Sequence, residues 1–410
     1  MRSFKILSLA TVSTLALAGL HAADANAAGF YLQEQSVSGL GNAFAGQVAT
    51  PRDSSIVYFN PAGMTHLKGT HANTGVHFIA PDSEIKDTGS TVPFGTVGGS
   101  GGNPYSISPV PNLSMSHEVV EDQLWFGFAV SAPFGLGNEY NDGWFGRYDS
   151  TETTLHTLDF QPSLAWKIND KLSIGGGLNI QYASANLESI RPIGGPAEGT
   201  STLNGEDTSV GYNFGLLYEP IEGTNLGAHY RSRINHDLSG RLDIQSTVNL
   251  NATADLHLPD IFQVGIDQRV NDKLSLQAGA TWFGWSNFED ITVVSALGTS
   301  RTTQNYQNTW AFAVGAEYEL NDKWELRAGY QYDETPTTDE YRTSLTPDGD
   351  RNWFSTGATY QYNEKISFDA AATYIDISEE KINLTRNGSN IVGDTDGRVI
   401  IFAMGLNYKF

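Results

Sequence analysis

The sequence predicts an all-β fold, a 14-stranded antiparallel transmembrane β-barrel plugged by an N-terminal hatch. Three observations support this fold class. Apolar and polar residues alternate in long runs, short turns alternate with long polar loops, and the chain begins with the features of an export signal.

Composition excludes several classes of protein. The chain has 410 residues, a formal net charge of −22 and no cysteine. An acidic chain lacks the basic face that phosphate binding requires, so we expect no nucleic-acid partner. Without cysteine there are no disulfides, Cys-ligated zinc sites or thiol catalysis. The spacings of His66, His71 and His77 fit no zinc motif, and no G-x-S-x-G elbow is present. We therefore expect no metal, no cofactor and no enzymatic activity.

Residues 1–27 have the features of a secretory signal peptide. Arg2 and Lys5 form a positive start, residues 6–20 are apolar but too few to span a bilayer, and Ala25-Asn26-Ala27 is a cleavage site. No later segment has 18 consecutive apolar residues. The remaining choice is between a soluble exported protein and an outer-membrane barrel.

Alternation of period two is clearest in the last strand. One parity carries the apolar residues Ile400, Phe402, Met404, Leu406, Tyr408 and Phe410. The same pattern recurs in 172–182, 310–320 and 324–332. A soluble β-sandwich also alternates, but runs of about ten residues with aromatic residues near their ends favour strands that cross a bilayer at a tilt.

Short turns separate many of these runs. The triplet Asn-Asp-Lys or Asn-Glu-Lys occurs at 169–171, 271–273, 321–323 and 363–365. Asn and Asp tolerate left-handed backbone conformations, so these triplets predict tight hairpins. Two looser turns fall at 118–123 and 219–224, and the opposite connections are long and polar, such as 82–108, 188–208 and 334–350. The short side is predicted to be periplasmic.

Six short turns predict fourteen strands within a barrel domain of residues 70–410. The predicted strands are 70–80, 109–118, 124–134, 154–168, 171–186, 209–219, 225–242, 252–270, 273–287, 304–320, 323–333, 351–363, 365–378 and 397–410. An even number of strands places both ends of the barrel in the periplasm.

Residues 28–69 precede the first strand and do not alternate. They are rich in Gly, Ala and Ser, and they include the consecutive apolar residues 56–59 and the motif Asn60-Pro61-Ala62. An exposed periplasmic tail rarely carries such an apolar patch. We therefore predict a hatch packed inside the lumen, which would turn a barrel of this size from a water channel into a gated one.

Short motifs occur along the chain in a fixed order. They are Ala28–Glu34, Ser38–Gly41, Asn60–Ala62, Phe134–Leu136, Glu139–Asp142, Tyr230–Ser232, Leu258–Asp260, Trp285–Ser286, Asp333–Pro336 and Pro347–Arg351. In this order and spacing they resemble the FadL-type outer-membrane transporters of long-chain fatty acids and aromatic hydrocarbons. The resemblance implies passive uptake of a hydrophobic molecule, which is captured outside, held near the hatch and released sideways into the membrane through a kink in the third strand.

The third predicted strand offers a physical reason for such a kink. It runs into Pro133, Phe134 and Gly135, where proline cannot donate a ladder hydrogen bond and glycine permits a bulge. From the residues alone, Pro133 simply ends the strand. With the resemblance, these three residues are predicted to form a lateral gate.

An apolar pocket near the hatch would stabilise a hydrophobic molecule by about 0.8 kcal/mol for each buried methylene. The predicted pocket residues are Phe30, Leu32, Leu40, Phe44, Ile56 and Phe59, with Phe134 at the gate. Packing within the hatch itself is the alternative role for these side chains. Arg351, and after it Arg327, are the predicted partners of a substrate carboxylate, because a guanidinium can hold a carboxylate through two hydrogen bonds. The acids beside Arg351 leave open a structural ion-pair network.

The predicted partners are a hydrophobic small molecule, outer-membrane lipid with lipopolysaccharide, and the barrel-assembly machinery. A terminal aromatic such as Phe410 resembles the signal by which outer-membrane barrels are recognised. The predicted location is the outer membrane of a Gram-negative bacterium. A general diffusion porin and a surface adhesin or phage receptor are the alternative functions.

Overall fold

The computed structural model describes residues 29–194, 197–245 and 247–410. The predicted signal peptide lies outside the described residues. One antiparallel sheet of nineteen strand segments closes on itself, because the first segment pairs with the last from His71↔Lys409 to Asp87↔Gly393. Among the described residues no helix is both long and apolar enough to cross a membrane.

The strand segments follow the chain as β1 Thr70–Asp87, β2 Ser108–Val120, β3 Leu124–Ser131, β4 Gly135–Glu139, β5 Glu152–Asn169, β6 Leu172–Gly194, β7 Ala197–Ile221, β8 Thr224–Arg231, β9 Asn235–Ile244, β10 Val248–His257, β11 Ile261–Arg269, β12 Leu274–Phe283, β13 Asp290–Ser295, β14 Gly298–Thr303, β15 Thr309–Asn321, β16 Trp324–Asp333, β17 Arg351–Gln361, β18 Ile366–Arg386 and β19 Ser389–Lys409. The helices are α1 Val37–Leu40 and α2 Ile56–Phe59, with 3₁₀ turns at Gln47–Ala49, Pro61–His66 and Trp285–Asn287.

The nineteen segments make fourteen barrel strands, because five strands are interrupted once each. The interrupted strands are β3/β4, β8/β9, β10/β11, β12/β13 and β14/β15. The predicted 14-stranded antiparallel barrel is therefore confirmed. Each Asn-Asp-Lys or Asn-Glu-Lys triplet forms a tight turn in which the asparagine Oδ1 accepts from the lysine backbone N–H, as at Lys171 at 2.9 Å and Lys365 at 2.8 Å.

The outer loops differ from the sequence prediction. Residues 188–208, predicted as a loop, instead extend β6 and β7, which pair from Leu172↔Tyr218 to Gly194↔Ala197. β18 and β19 extend in the same way to 21 residues each. These extensions carry few large apolar residues, so the alternation by which strands are recognised is weak in the sequence there.

Residues 29–69, called the hatch segment below, lie inside the barrel up to Thr65, and His66, Lys68 and Gly69 are exposed. Almost every residue from Gly29 to Thr65 is buried. Glycines in the wall make room for its backbone. A Cβ on Gly215 would lie 1.9 Å from Asn60 Oδ1, and a Cβ on Gly329 would lie 2.0 Å from the Asn42 carbonyl oxygen. The hatch segment and the wall therefore approach more closely than any larger residue allows.

Two arginines tie the hatch segment to the wall. Arg231 on β8 pairs with Asp159 at 2.9 Å, donates to the carbonyl of Tyr58 at 3.1 Å and lies 4.3 Å from its ring centroid. Arg52 of the hatch segment pairs with Glu317 on β15. The Arg231–Asp159 pair joins β8 to β5 and orients the guanidinium, so the hydrogen bond to Tyr58 and the Arg52–Glu317 pair fix the middle of the hatch segment.

Replacing Gly215 by valine tests how tightly the hatch segment fits the wall. We expect Gly215→Val to displace Asn60 and raise ionic conductance in planar bilayers, because the new side chain overlaps the asparagine. Gly99→Ala is the matched control, since a Cβ there meets nothing within 4 Å. A heat-modifiable Gly215→Val barrel with unchanged conductance would show that the hatch segment does not limit flow.

Candidate hydrophobic cavity and wall interruption

The barrel wall is interrupted between β3 and β4. Both segments pair with β5, with Ser131 opposite Asp159 and Gly135 opposite His156. From Ser131 to Gly135 the chain advances four residues, whereas β5 advances only three between Asp159 and His156. The interrupted strand therefore has one extra residue, as in a β-bulge. Pro133 lies within the interruption and has no N–H to donate.

The hatch segment supplies the backbone partners that the interrupted strand lacks. Leu32 N–H donates to the Pro133 carbonyl at 2.8 Å, and Gly135 N–H donates to the Phe30 carbonyl at 3.0 Å. The Gln35 side chain donates to the Ala132 carbonyl at 2.9 Å and accepts from its N–H at 3.3 Å. These hydrogen bonds cover the interruption from the inside.

Aromatic side chains seal the inner side of the interruption. The ring of Phe134 lies 6.1 Å from Phe30, 5.5 Å from Tyr31 and 6.2 Å from Trp285, measured between centroids. Phe30 also contacts Trp285 at 4.7 Å. The tilted and edge-on geometries are those that aromatic pairs prefer. The three residues 133–135 are therefore covered by the hatch segment in this conformation.

An apolar cavity with an empty volume of about 730 Å³ lies directly beside this aromatic cluster. Phe30 and Leu136 contribute its border with the interruption. The rest of its lining is mainly aliphatic wall, including Leu155, Leu203, Leu238 and Leu256. Its apolar lining is typical of sites for small hydrophobic ligands.

A larger polar cavity opens beyond the apolar one. It has an empty volume of about 1330 Å³ and shares Leu187, Leu203, Ile291 and Leu345 with its neighbour. Charged residues such as Glu188 line it. The two cavities together form a path that becomes less polar toward Phe30.

The predicted pocket residues divide between two places. Phe30 lines the apolar cavity, and Phe134 lies in the aromatic cluster beside it. The other five belong to the hydrophobic cluster between the hatch segment and the wall, namely Leu32, Leu40, Phe44, Ile56 and Phe59. Their hydrophobicity indicates burial, but it does not distinguish packing inside the hatch from contact with a ligand.

The motif Asn60-Pro61-Ala62 is an anchor in this geometry. Asn60 Oδ1 accepts from the Ala62 N–H at 3.1 Å and so caps the 3₁₀ turn. Its amide donates to the carbonyl of Val48 at 2.7 Å and to that of Leu216 on β7 at 3.0 Å. One side chain thus joins two parts of the hatch segment to the wall.

Arg351 and Arg327 both lie in ion pairs outside the lining of the apolar cavity. Arg351 Nε lies 3.2 Å from Asp348, whose other oxygen accepts from the Gly29 N–H at 2.8 Å. Arg327 lies 3.3 Å from Glu317 and 3.6 Å from Asp369. This arrangement matches the ion-pair network that the acids beside Arg351 leave open in the sequence.

The wall leucines that line the cavity are not among the residues predicted from the sequence. Leu155 shares its inward parity with Thr157, Asp159 and Gln161 on the same strand. Leu155 is flanked on this parity by Thr153 and Thr157, so the alternation of β5 does not mark it as a cavity residue.

The comparisons with known proteins agree with this architecture. A family model described as "Outer membrane protein transport protein (OMPP1/FadL/TodX)" matches residues 18–410. The chain belongs to this family. It is an outer-membrane transport family, so the predicted location and the predicted FadL-type resemblance are confirmed.

Individual relatives support the same assignment. The chain is 28% identical to the long-chain fatty acid transport protein of Escherichia coli O6:H1, covering 98% of this chain and 99% of that protein. It is 27% identical to outer membrane protein P1 of Haemophilus influenzae, over the whole of both chains. The crystal structure of a Pseudomonas aeruginosa FadL homologue, 26% identical, superposes with a TM-score of 0.88 over 93% of this chain and 100% of that chain.

Filling the apolar cavity tests whether it binds ligand. We expect Ala254→Phe to weaken binding of a hydrophobic ligand by about tenfold or more, because the ring would occupy space that Ala254 now borders. Ala370→Phe adds the same ring on the exposed face of β18 and is the matched control. Tryptophan fluorescence quenching by a brominated fatty acid measures the affinity, and equal affinities in both variants would contradict a ligand site here.

Proposed function

We propose that this chain takes up hydrophobic molecules by passive diffusion and releases them sideways through the β3/β4 interruption. The polar outer cavity receives the molecule, the apolar cavity holds it, and displacement of the hatch segment opens the wall. The observation that carries this proposal is the contact between the apolar cavity and the interruption, since Phe30 and Leu136 border both.

Burial of apolar surface provides the driving force for capture. Each methylene that leaves water for a dry cavity contributes about 0.8 kcal/mol. The relatives named above include a long-chain fatty acid transport protein at 28% identity. We therefore assign long-chain fatty acids, or related apolar compounds, as the substrate class.

The wall is a better exit than the barrel axis. Below the cavity the hatch segment fills the lumen, where Arg231 donates to the Tyr58 carbonyl and Arg52 pairs with Glu317. Axial passage would require breaking both of these contacts. Lateral passage requires loss of the hydrogen bonds and aromatic contacts of residues 30–35, and it leaves the Arg52 and Tyr58 contacts in place. A general porin would need an open bore that the hatch segment occupies.

Two further partners belong to this proposal. A broad exposed apolar band, including Phe312, Val314 and Met404, suits contact with outer-membrane lipid and lipopolysaccharide. Phe410 is 66% exposed while its N–H donates to the carbonyl of Thr70 at 3.0 Å. Its ring is therefore accessible to the barrel-assembly machinery.

Deleting Pro133 tests the lateral route. Because β3/β4 has one more residue than β5 across the interruption, this deletion restores a one-to-one register between Ser131↔Asp159 and Gly135↔His156. We expect a continuous ladder, a heat-modifiable barrel and loss of long-chain fatty acid uptake by cells that express it.

The matched control removes one residue where register has no role. Deletion of Gly95, which has open space around it in the β1–β2 loop, should leave uptake unchanged. Normal uptake by a correctly assembled Pro133 deletion would mean that substrate does not leave through this part of the wall.

A further inference from the structure

A carboxyl group with no ordinary hydrogen-bond partner is buried beside the interruption. Glu34 lies between Gln33 and Gln35 in the hatch segment and is fully buried. Neither of its carboxyl oxygens accepts a hydrogen bond of ordinary geometry. The nearby backbone N–H groups of Gln33 and Glu34 offset the cost of burial only in part. An ionised carboxylate in this position is expensive.

The charges around Glu34 do not neutralise it. Arg351 is the cation that attracts it, but Arg351 is already paired with Asp348. Arg351 Nη1 and one carboxyl oxygen of Asp333 lack hydrogen-bond partners in the same buried region. The titratable and charged groups that face this region are Arg351 and Asp333 on the wall, Asp348 and Asp350 in the preceding loop, Tyr31 and Tyr58 of the hatch segment, Arg231 beside those tyrosines, and His77 next to Ser36. The three aspartates Asp333, Asp348 and Asp350 therefore outnumber Arg351, the cation that attracts Glu34.

The chain neighbours of Glu34 form hydrogen bonds with the interruption. Leu32, two residues before it, donates to the Pro133 carbonyl, and Gln35, the next residue, makes two hydrogen bonds with Ala132. Any movement that brings the Glu34 carboxylate to water must move these neighbours. Exposure of Glu34 and opening of the wall are thus one structural change.

We infer that Glu34 is a proton-controlled latch: its neutral form keeps residues 30–35 seated on the interruption, and its ionised form favours their release. This inference rests on the proposed lateral route and adds its regulation. A fatty acid or other apolar compound would then cross faster at neutral than at acidic pH.

The direction of the pH effect follows from linkage. Burial raises the pKa of the Glu34 carboxyl from 4.5 to about 7 in the seated hatch segment. The seated conformation is therefore fully favoured below pH 4.5 and loses its advantage progressively as the pH rises to about 7. Over that interval the ratio of released to seated molecules rises by up to about tenfold for each pH step, or roughly 300-fold in all for a fully hydrated released carboxylate.

Uptake of an uncharged fluorophore separates this latch from titration of the substrate. N-phenyl-1-naphthylamine uptake is measured between pH 5 and 8 in cells that express each full-length barrel, after subtraction of the rate in cells without it. We expect uptake by the wild type to rise with pH and uptake by Glu34→Gln to stay low at every pH. Glu34→Asp, which can still ionise, should restore the rise, and Glu364→Gln in an exposed turn should match the wild type.

Thiol labelling provides a readout that is independent of transport. The chain has no cysteine, so Ala132→Cys introduces a single thiol at a position that is 8% exposed in the seated conformation. Labelling rates by a membrane-impermeant maleimide are compared with those of Ala132→Cys/Glu34→Gln at each pH, which cancels the ionisation of the thiol itself. The ratio of the two rates should increase from pH 5 to 8.

The outcomes distinguish the latch from the route on which it rests. If the wild type takes up the fluorophore equally at all pH values and the labelling ratio is constant, the latch is wrong while the channel stands. If the wild type takes up none at any pH, the proposed uptake function itself fails. Heat-modifiable migration of each variant shows that its barrel is assembled.

Discussion

The structure depends on the backbone pairing between hatch residues 30–35 and wall residues 132–135. A strand that contains proline and one extra residue cannot complete its own ladder, so its unpaired groups need partners. The hatch segment provides them with two backbone hydrogen bonds and one bridging glutamine. The interruption in the wall therefore lies against the start of the hatch segment, and the hydrogen bonds between them close both.

This arrangement divides the hatch segment into a fixed part and a releasable part. Asn60, Arg52 and the contact of Tyr58 with Arg231 hold the middle and end of the segment against wall glycines and buried ion pairs. Residues 30–35 are held by aromatic packing and hydrogen bonds, and Glu34 among them is a buried acid without a full complement of partners. A buried acid of this kind lowers local stability, which is a property of segments that move in gating. The apolar cavity lies against this releasable part, so a ligand that enters competes for the space around Phe30.

The barrel could be predicted from the sequence because lipid imposes a strict alternation on every strand that crosses it. Fourteen strands and the tight turns at the Asn-Asp-Lys triplets followed from that alternation, whereas the outer half of β6 and β7 did not, since it carries too few large apolar residues to show the alternation. Pro133 predicted the interruption, because proline has no N–H to donate to the ladder. The extra residue opposite β5 could not be predicted, because it depends on the register between the paired strands. Leu40 and Phe59 lie in the cluster between the hatch segment and the wall, while Leu155 and Leu256 line the apolar cavity. Hydrophobicity marks a residue for burial without specifying what it is buried against.

Photocrosslinking during uptake is the most direct test of sideways release. A benzophenone amino acid is placed at Phe160, which faces outward opposite Val130 next to the interruption, at Phe312 on the far side of the barrel, or at His66 at the exposed end of the hatch segment. A radiolabelled long-chain fatty acid is then supplied from outside. Sideways release predicts early labelling at Phe160 well above that at Phe312 and His66. Labelling first at His66, with Phe160 no different from Phe312, would mean that substrate travels along the axis and that the wall stays closed.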